Sequence, residues 1–297
     1  MSLAAPTARE RRQARFRKVL AHIDAHLDGD LSVKRLSRVA ALSPCHFHRQ
    51  FAEVFGVGVY HYVQLCRLKR GAWRLAFRRQ LPVLEIALDS GYAGPEAFAR
   101  AFRKSVGQSP SAFRNGPNWP DWHRAWAPLG ELRRHHLPGA RHPGQVTTVV
   151  VGDIRVAALA HRGDMALIGD SVRRFIDWRR RNGLPPRLSA TFNILHHRLG
   201  EHGPELCGLD LCAATDRAVP DNPFGVVAHT IRGGRCAVLR HVGPEDTLRE
   251  SVRFLCTDWL AQSGETPRDD PPYLQRIHFF PDVPEHQAVT DVFLPLR

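Results

Sequence analysis

The sequence predicts two domains: an all-α domain of tandem helix-turn-helix units, then an α+β domain built from a duplicated strand-helix-strand-strand unit. Three observations predict this. First, 297 residues with 43% hydrophobic and 8% aromatic side chains can bury two cores, which excludes global disorder. Second, the charge is uneven. Residues 1–130 carry 21 Lys and Arg against 9 Asp and Glu, whereas residues 131–297 carry 21 against 20, so nearly all of the +13 net charge belongs to the first half. That is the footprint of a polyanion-binding domain joined to a neutral one. Third, each half repeats itself, at a spacing near 50 residues in the first and near 80 in the second.

The first twenty residues are Arg-rich without the apolar core of a signal peptide, and read as a solvated lead-in to a helix. That helix carries Phe16, Leu20, Ile23 and Leu27 on one face and ends near Gly29. The first repeat unit follows. Val33, Leu36, Val39 and Ala40 form an apolar helical face; Ser43-Pro44 supplies an N-cap and a first-turn proline. Phe47, Phe51 and Phe55, four apart, then point inward, leaving Cys45, His48, Arg49 and Ala52 outward. A long helix (Tyr62, Leu65, Leu68, Ala72, Leu75, Ala76) closed by Pro82 leads to the second unit. There Phe98, Phe102 and Val106 are inward and Glu96, Ala99, Arg100 and Arg103 outward. Leu36 answers to Ile86 at an offset of 50, and Phe47, Arg49, Phe51 and Gly56 answer to Phe98, Arg100, Phe102 and Gly107 at 51, which places a one-residue slip in the turn of each unit.

Ile86, Ala87, Gly91, Tyr92, Phe98, Arg100, Phe102, Arg103, Gly107, Ser109 and Pro110 meet the pattern I-A-x-x-x-G-Y…F-x-R-x-F-[RK]-x-x-x-G-x-[ST]-P, with Phe113-Arg114 behind it. With the upstream copy and the linking helix, residues 12–116 resemble the DNA-binding domain of the AraC family. The resemblance implies double-stranded DNA as partner, with two recognition helices entering major-groove segments about 34 Å apart. The implied base readers are Cys45, His46, His48 and Arg49 in the first helix and Pro95, Glu96, Ala99 and Arg100 in the second. Arg suits guanine O6 and N7, and Glu suits cytosine N4. Arg78, Arg79, Arg103 and Lys104 are the expected phosphate contacts. Cys45, Pro95 and Ala99 are small, so the second helix is expected to read fewer bases by hydrogen bonds and the operator sequence stays unread.

Residues 117–144, rich in Pro and Gly and carrying three tryptophans without a clean period, read as an interdomain linker packed partly on one neighbour. The second domain spans 145–297. Leu159, His161, Gly163, Ser171, Val172 and Arg173 answer to Leu239, His241, Gly243, Ser251, Val252 and Arg253 at 80; Asp177, Trp178 and Gly183 answer to Asp258, Trp259 and Gly264 at 81. Each copy reads as a strand, a glycine turn, an amphipathic helix ending in Asp-Trp, and further β-like runs, with VTTVVV before the first copy. The duplicated H-x-G turns and the closing TDVFLPL resemble the GyrI-like effector domain found behind AraC-type DNA-binding domains. The resemblance implies a small, often cationic or aromatic, molecule held between the repeats, and Met165, Trp178, Trp259, Tyr273 and Gln275 as pocket candidates. Trp178 and Trp259 fit helix-to-sheet packing before they fit a ligand cage. Gln275 stands where the family usually has a carboxylate, which argues against both a cation sensor and a hydrolase.

His46-His48, His135-His136 and His196-His197 lack ligand partners at metal spacing, and the chain has no Walker loop, nucleophile elbow or HExxH, so neither metal nor cofactor is expected. The six cysteines form no CxxC pair and read as reduced thiols of a cytoplasmic protein. No run approaches the ~20 apolar residues of a membrane span. The expectation is a sequence-specific, non-enzymatic transcription regulator modulated by a small molecule, with RNA polymerase as a further contact. The rival readings are a GyrI-like hydrolase tethered to DNA and a ligand-independent DNA binder.

Overall fold

The computed structural model describes residues 7–136, 143–200 and 203–297, and leaves aside the side chains of 9, 135, 136, 143, 197–200 and 203–207. The first six residues, the 137–142 stretch of the expected linker, the His135, His136 and His197 rings and the Cys207 thiol therefore lie outside the described residues. The chain divides into two compact units, Met1–Pro138 and Gly139–Arg297.

In the first unit every described element is a helix. α1 (Ala8–Ala25) begins at a capping box formed by Thr7 and Glu10. α2 (Val33–Val39) and α3 (Pro44–Phe55) form the first helix-turn-helix, α4 (Val59–Phe77) is the linking helix, and α5 (Val83–Asp89) and α6 (Pro95–Val106) form the second. The sequence slip lies where expected: residues 40–43 join α2 to α3, and residues 90–94, one more, join α5 to α6. Phe47, Phe51 and Phe55 are buried against Phe16 of α1, whose ring lies 5.4 Å from Phe55. Phe98 and Phe102 are buried equally deeply, and Phe113 of α7 (Pro110–Asn115) packs on Phe102 at 5.3 Å.

The expected linker is corrected in part. Its first two thirds form α8 (Trp119–His136), an element of the first unit. Trp119, Trp122, Trp126 and Leu129 are buried, and Trp122 stacks on Phe113 at 5.4 Å. Pro120 and Pro128 obscured the helical period, but a proline in the first turn costs no hydrogen bond, and the buried tryptophans supply the apolar face that outweighs Pro128. Arg133 of α8 is 1% exposed and donates to the Asp24 carboxylate of α1 at 2.8 Å.

The second unit is one antiparallel sheet of eight strands with helices packed against one face. Its strands are β1 (Val146–Val151), β2 (Ile154–Arg162), β3 (Thr191–Gly200), β4 (Gly203–Ala214), β5 (Val227–Ile231), β6 (Gly234–Val242), β7 (Tyr273–His278) and β8 (Val289–Pro295), in the order β1-β6-β8-β7-β3-β4-β2-β5. The duplication is exact in register at the edges: Val151 pairs with Gly234 as Ile231 pairs with Ile154. Each copy therefore lends its first strand to the other copy's edge. Sequence reading did not identify β4 or β5; β5 is mostly exposed and so lacks an inward alternation to detect.

The first copy's helix is α9 (Ile168–Arg181). Its counterpart starts as α10 (Glu245–Arg253), continues through a π-helical stretch (Phe254–Trp259) and ends as α11 (Leu260–Ser263). The repeat offset changes from 80 to 81 between Arg253 and Asp258, and a π turn is how a helix absorbs one inserted residue. Leu159, Leu195, Leu211, Leu239, Leu274, Val292 and their neighbours face these helices in one core. The opposite, helix-free face carries a second apolar cluster that includes Phe192, Ile194, Cys236, Tyr273 and Phe293.

Candidate nucleic-acid interface and candidate effector face

α3 and α6 are built alike. Each starts with a proline, Pro44 or Pro95, and ends in a glycine with positive φ, Gly56 or Gly107. Their phenylalanines anchor one side, so the other side is held out rigidly. Cys45, His48 and Arg49 are exposed on α3 and His46 is half-buried; on α6, Glu96 and Arg100 are exposed while Pro95 and Ala99 are half-buried. Arg79, Arg103 and Lys104 are exposed and Arg78 is half-buried. The Arg49 side chain is 69% exposed, and its polar contacts among the described residues lie within its own helix, to Glu53 at 3.7 Å and His46 Nδ1 at 3.4 Å. Surface contacts of that kind are worth about 0–1 kcal/mol and yield readily to a base edge.

Gly91 sets the entry to α6. It has φ +73°, and a Cβ there would lie 2.3 Å from the Leu27 carbonyl oxygen and 2.5 Å from Arg67 Nε. Arg67 donates to the Leu27 and Gly29 carbonyls at 2.8 and 2.9 Å, which ties the second turn to the end of α1. Gly71 of α4 serves the same packing, since a Cβ would meet the buried Phe98 ring at 2.7 Å.

A further basic face escaped sequence reading. Lys34, Arg35 and Arg38 of α2 are exposed, whereas the residues 50 positions later on α5 are Leu84, Glu85 and Leu88, also exposed. The difference is present in the aligned repeats, where Lys34, Arg35 and Arg38 answer to Leu84, Glu85 and Leu88.

In the second unit the candidate pocket residues divide between the two faces of the sheet. Trp178 is buried in the helix-side core, stacked on Phe175 at 5.9 Å, and Met165 and Trp259 pack against that core. Tyr273 belongs to the helix-free cluster, and Gln275, two residues along β7, shares its face. The five therefore do not converge. The reading of Trp178 and Trp259 as packing residues matches their position.

The helix-free face is ordered into two rows related by the duplication. One runs Arg240, Asp291, Gln275, Phe192, Cys212, Ala158 across β6, β8, β7, β3, β4 and β2. The other runs Val238, Phe293, Tyr273, Ile194, Asp210, Ala160 across the same strands. Asp210 and Asp291 are thus equivalent, as are Ile194 and Gln275. Both carboxylates are 8% exposed and both are neutralised. Arg240 holds Asp291 with two hydrogen bonds, at 2.7 and 2.8 Å, and these bonds raise the guanidinium pKa. Asp210 is held by Arg162 at 2.6 Å and His196 at 2.8 Å; burial pushes its carboxyl up, but those partners keep it below the ordinary aspartate value. Tyr273 is stacked on Phe293 at 4.6 Å.

The duplicated H-x-G turns have a structural explanation. His161 Nδ1 meets Ser171 Oγ at 3.0 Å and His241 Nδ1 meets Ser251 Oγ at 2.8 Å, so each copy ties its strand end to its helix by one buried pair. Among the described residues no group of His, Cys, Asp and Glu could hold a metal, and no helix is long and apolar enough to cross a membrane. Cys66, Cys212 and Cys236 are buried and unpaired by disulfides; burial pushes the Cys66 thiol up to about 12. Cys45, by contrast, is exposed at the start of α3.

Tandem helix-turn-helix units joined to this duplicated sheet define a DNA-binding transcriptional regulator with a small-molecule-binding domain. Residues 145–297, more than half of the chain, match the GyrI-like small molecule binding domain, and the chain belongs to that family; residues 36–116 match a helix-turn-helix domain of AraC type. The chain is 37% identical over 144 residues to the probable transcriptional regulator YgiV of Escherichia coli K12, covering 48% of this chain and 90% of that protein. It is 33% identical over 104 residues to the right origin-binding protein of E. coli K12, covering 35% of this chain and 36% of that protein. Among solved structures, the EcmrR C-terminal domain aligns with a TM-score of 0.42 at 15% identity, covering 52% of this chain and 97% of that one.

Proposed function

We propose that the protein is a sequence-specific promoter regulator that reads DNA through α3 and α6 and whose activity is set by a small molecule on the helix-free face of the second unit. The observation that carries the first half is the shared build of α3 and α6: buried phenylalanines on one side, exposed Arg49 and Arg100 at equivalent positions on the other. Arg49, with His46, His48 and Cys45, reads the first groove segment; Arg100 and Glu96, with shape contacts from Pro95 and Ala99, read the second. Arg78, Arg79, Arg103 and Lys104, joined by Lys34, Arg35 and Arg38, hold phosphates. The basic α2 and the apolar, acidic α5 give the two units unequal roles: the first grips the backbone with both of its helices, the second with α6 and its flanks.

The second half rests on the family and on the row that contains Gln275. An uncharged amide where a hydrolase needs an ionisable acid or base supports a binding domain over a catalytic one. Effector occupancy alters how the second unit engages the DNA-binding unit or RNA polymerase, and by reciprocity DNA alters effector affinity by the same factor.

The test uses the full chain, an operator recovered by selection from random duplexes, and a scrambled duplex. Arg49→Ala and Arg100→Ala each reduce operator affinity by about 1–3 kcal/mol and scrambled-DNA affinity by much less. Equal losses on both duplexes would instead support a non-specific, architectural binder.

A further inference from the structure

α1 is longer than its packing requires. Phe16 is the first of its described side chains to enter the core, followed by Val19, Leu20 and Ile23. Of the described side chains between Ala8 and Arg15, none is buried. At a rise of 1.5 Å per residue, about 12 Å of helix therefore stands clear of the core. Local forces hold it helical: the Thr7–Glu10 capping box at its start, and the strong helix formers Ala, Arg, Gln and Glu behind it. Its charge works against it. Arg11, Arg15 and Lys18 follow at i, i+4 and i+7 and form one stripe, with Arg12 beside it, and like charges at that spacing repel. No ion pair among the described residues holds Arg12, Arg15 or Lys18. Glu10 is committed to the Thr7 backbone N–H and hydroxyl, at 2.7 and 3.0 Å.

The stripe joins a surface already assigned to phosphates. One turn beyond Lys18 it reaches His22, whose pKa is lowered by burial and then by the charges of His26 and Arg35. Arg35 belongs, with Lys34 and Arg38, to the exposed basic face of α2. The two faces form one basic band on the first helix-turn-helix. The direction of α1 says where the band leads. Just past its C-terminal end, Arg67 donates to the Leu27 and Gly29 carbonyls, and the Gly91 turn of the second helix-turn-helix closes on the same Leu27 oxygen. Further back, Phe16 packs on Phe55 of the first at 5.4 Å. α1 thus runs from the second helix-turn-helix across the first, and its overhang projects past the first on the side away from the second.

We infer that the Arg11–Arg15–Lys18 stripe grips the phosphate backbone of the DNA that flanks the segment read by α3, outside both segments entered by the recognition helices. A phosphate backbone relieves the repulsion within the stripe and releases its own counterions in exchange. At ~3.4 Å per base pair the overhang spans about three to four base pairs of flank. The inference rests on the reading that α3 and α6 read DNA, and the experiment separates the two.

The full-length protein is titrated with three duplexes: the selected operator trimmed to its two segments, and the same operator extended by about eight base pairs on the α3 side or on the α6 side. The α3 side is the one whose guanine contacts Arg49→Ala abolishes. At about 50 mM salt the wild type binds the α3-side extension about tenfold more tightly than the α6-side extension. Arg11→Gln with Arg15→Gln and Lys18→Gln removes that advantage. It lowers the slope of log K against log salt on the α3-side extension by about 3 and leaves the trimmed operator bound as before. None of the three side chains is buried and Gln keeps the helix, so the variant stays folded, which circular dichroism checks. Arg11→Lys with Arg15→Lys retains both the advantage and the slope. Equal gains from the two extensions, a Gln variant with the wild-type slope, or equal losses on all three duplexes overturns the inference. So does a Gln variant that binds every duplex normally yet fails to hold RNA polymerase at the promoter, since the stripe then serves a protein partner. A wild type that does not distinguish the operator from a scrambled duplex, or an Arg49→Ala variant that keeps the operator preference, overturns the reading by α3 and the inference with it.

Discussion

Ala41 and Gly91 occupy equivalent turns, 50 residues apart, and both have positive φ, +50° and +73°. At Gly91 the geometry forbids a side chain, because a Cβ would meet backbone at 2.3 Å. Gly91→Ala is expected to cost about 3 kcal/mol or more, from left-handed strain together with the clash. Ala41 already bears the strain, so Ala41→Gly leaves stability unchanged or raises it by up to about 1 kcal/mol. Urea unfolding of the two variants checks the pair; a mild Gly91→Ala would show that α1 and the second turn are not locked together. Histidine 241 makes a second residue-scale prediction. Burial lowers its pKa below the ordinary 6.5, so the folded state prefers the neutral ring. The stability this represents is complete above the unfolded value and is lost as pH falls from there through the lower folded value. His241→Asn should flatten the fall in stability of the second unit between pH 7 and pH 5. An unchanged slope would remove His241 as its cause.

At the level of elements, the helix-turn-helix units were legible because nearly every residue in them has one task. Phenylalanines four apart can only be an inward face, and Ser-Pro before them can only be a start. α8 was not legible, since its helical face is made of tryptophans spaced among prolines, and its reason for being there is tertiary. The buried Arg133–Asp24 pair shows how firmly it belongs to the first unit: both groups are 5% exposed or less, and Arg133 also lies 3.4 Å from the Tyr62 hydroxyl. Asp24→Ala strands a buried guanidinium and should cost about 3–5 kcal/mol, while Asp24→Leu combined with Arg133→Met recovers most of that loss. Losses of similar size in the single and double variants would mean the pair packs rather than neutralises. The candidate pocket was half legible. Gln275 was singled out because it stands where the family it resembles usually has a carboxylate, but which side chains stand beside it depends on strand order. The partners that matter, Asp291 and Arg240, are 16 and 35 residues away in the chain and adjacent only in the sheet. The equivalent tryptophans of the repeat were legible as packing residues, and both stand on the helices that cover the other face of the sheet.

For the molecule as a whole, charge and duplication together describe a regulator with a basic DNA-binding unit and a nearly neutral small-molecule-binding unit. Binding to DNA should weaken steeply with salt, and replacing Lys34, Arg35 and Arg38 by alanine should reduce the slope of log K against log salt by about 3 while leaving base preference intact. The Leu84, Glu85 and Leu88 positions of α5 should contribute nothing to that slope. The central claim, that two equivalent helices read one face of the duplex, is tested most directly by hydroxyl-radical footprinting and guanine-methylation interference on the selected operator. The account predicts two interfering major-groove segments one helical turn apart on the same face, with Arg49→Ala erasing the signal in one and Arg100→Ala in the other. A single interfering segment, or two that both respond to the same substitution, would contradict it.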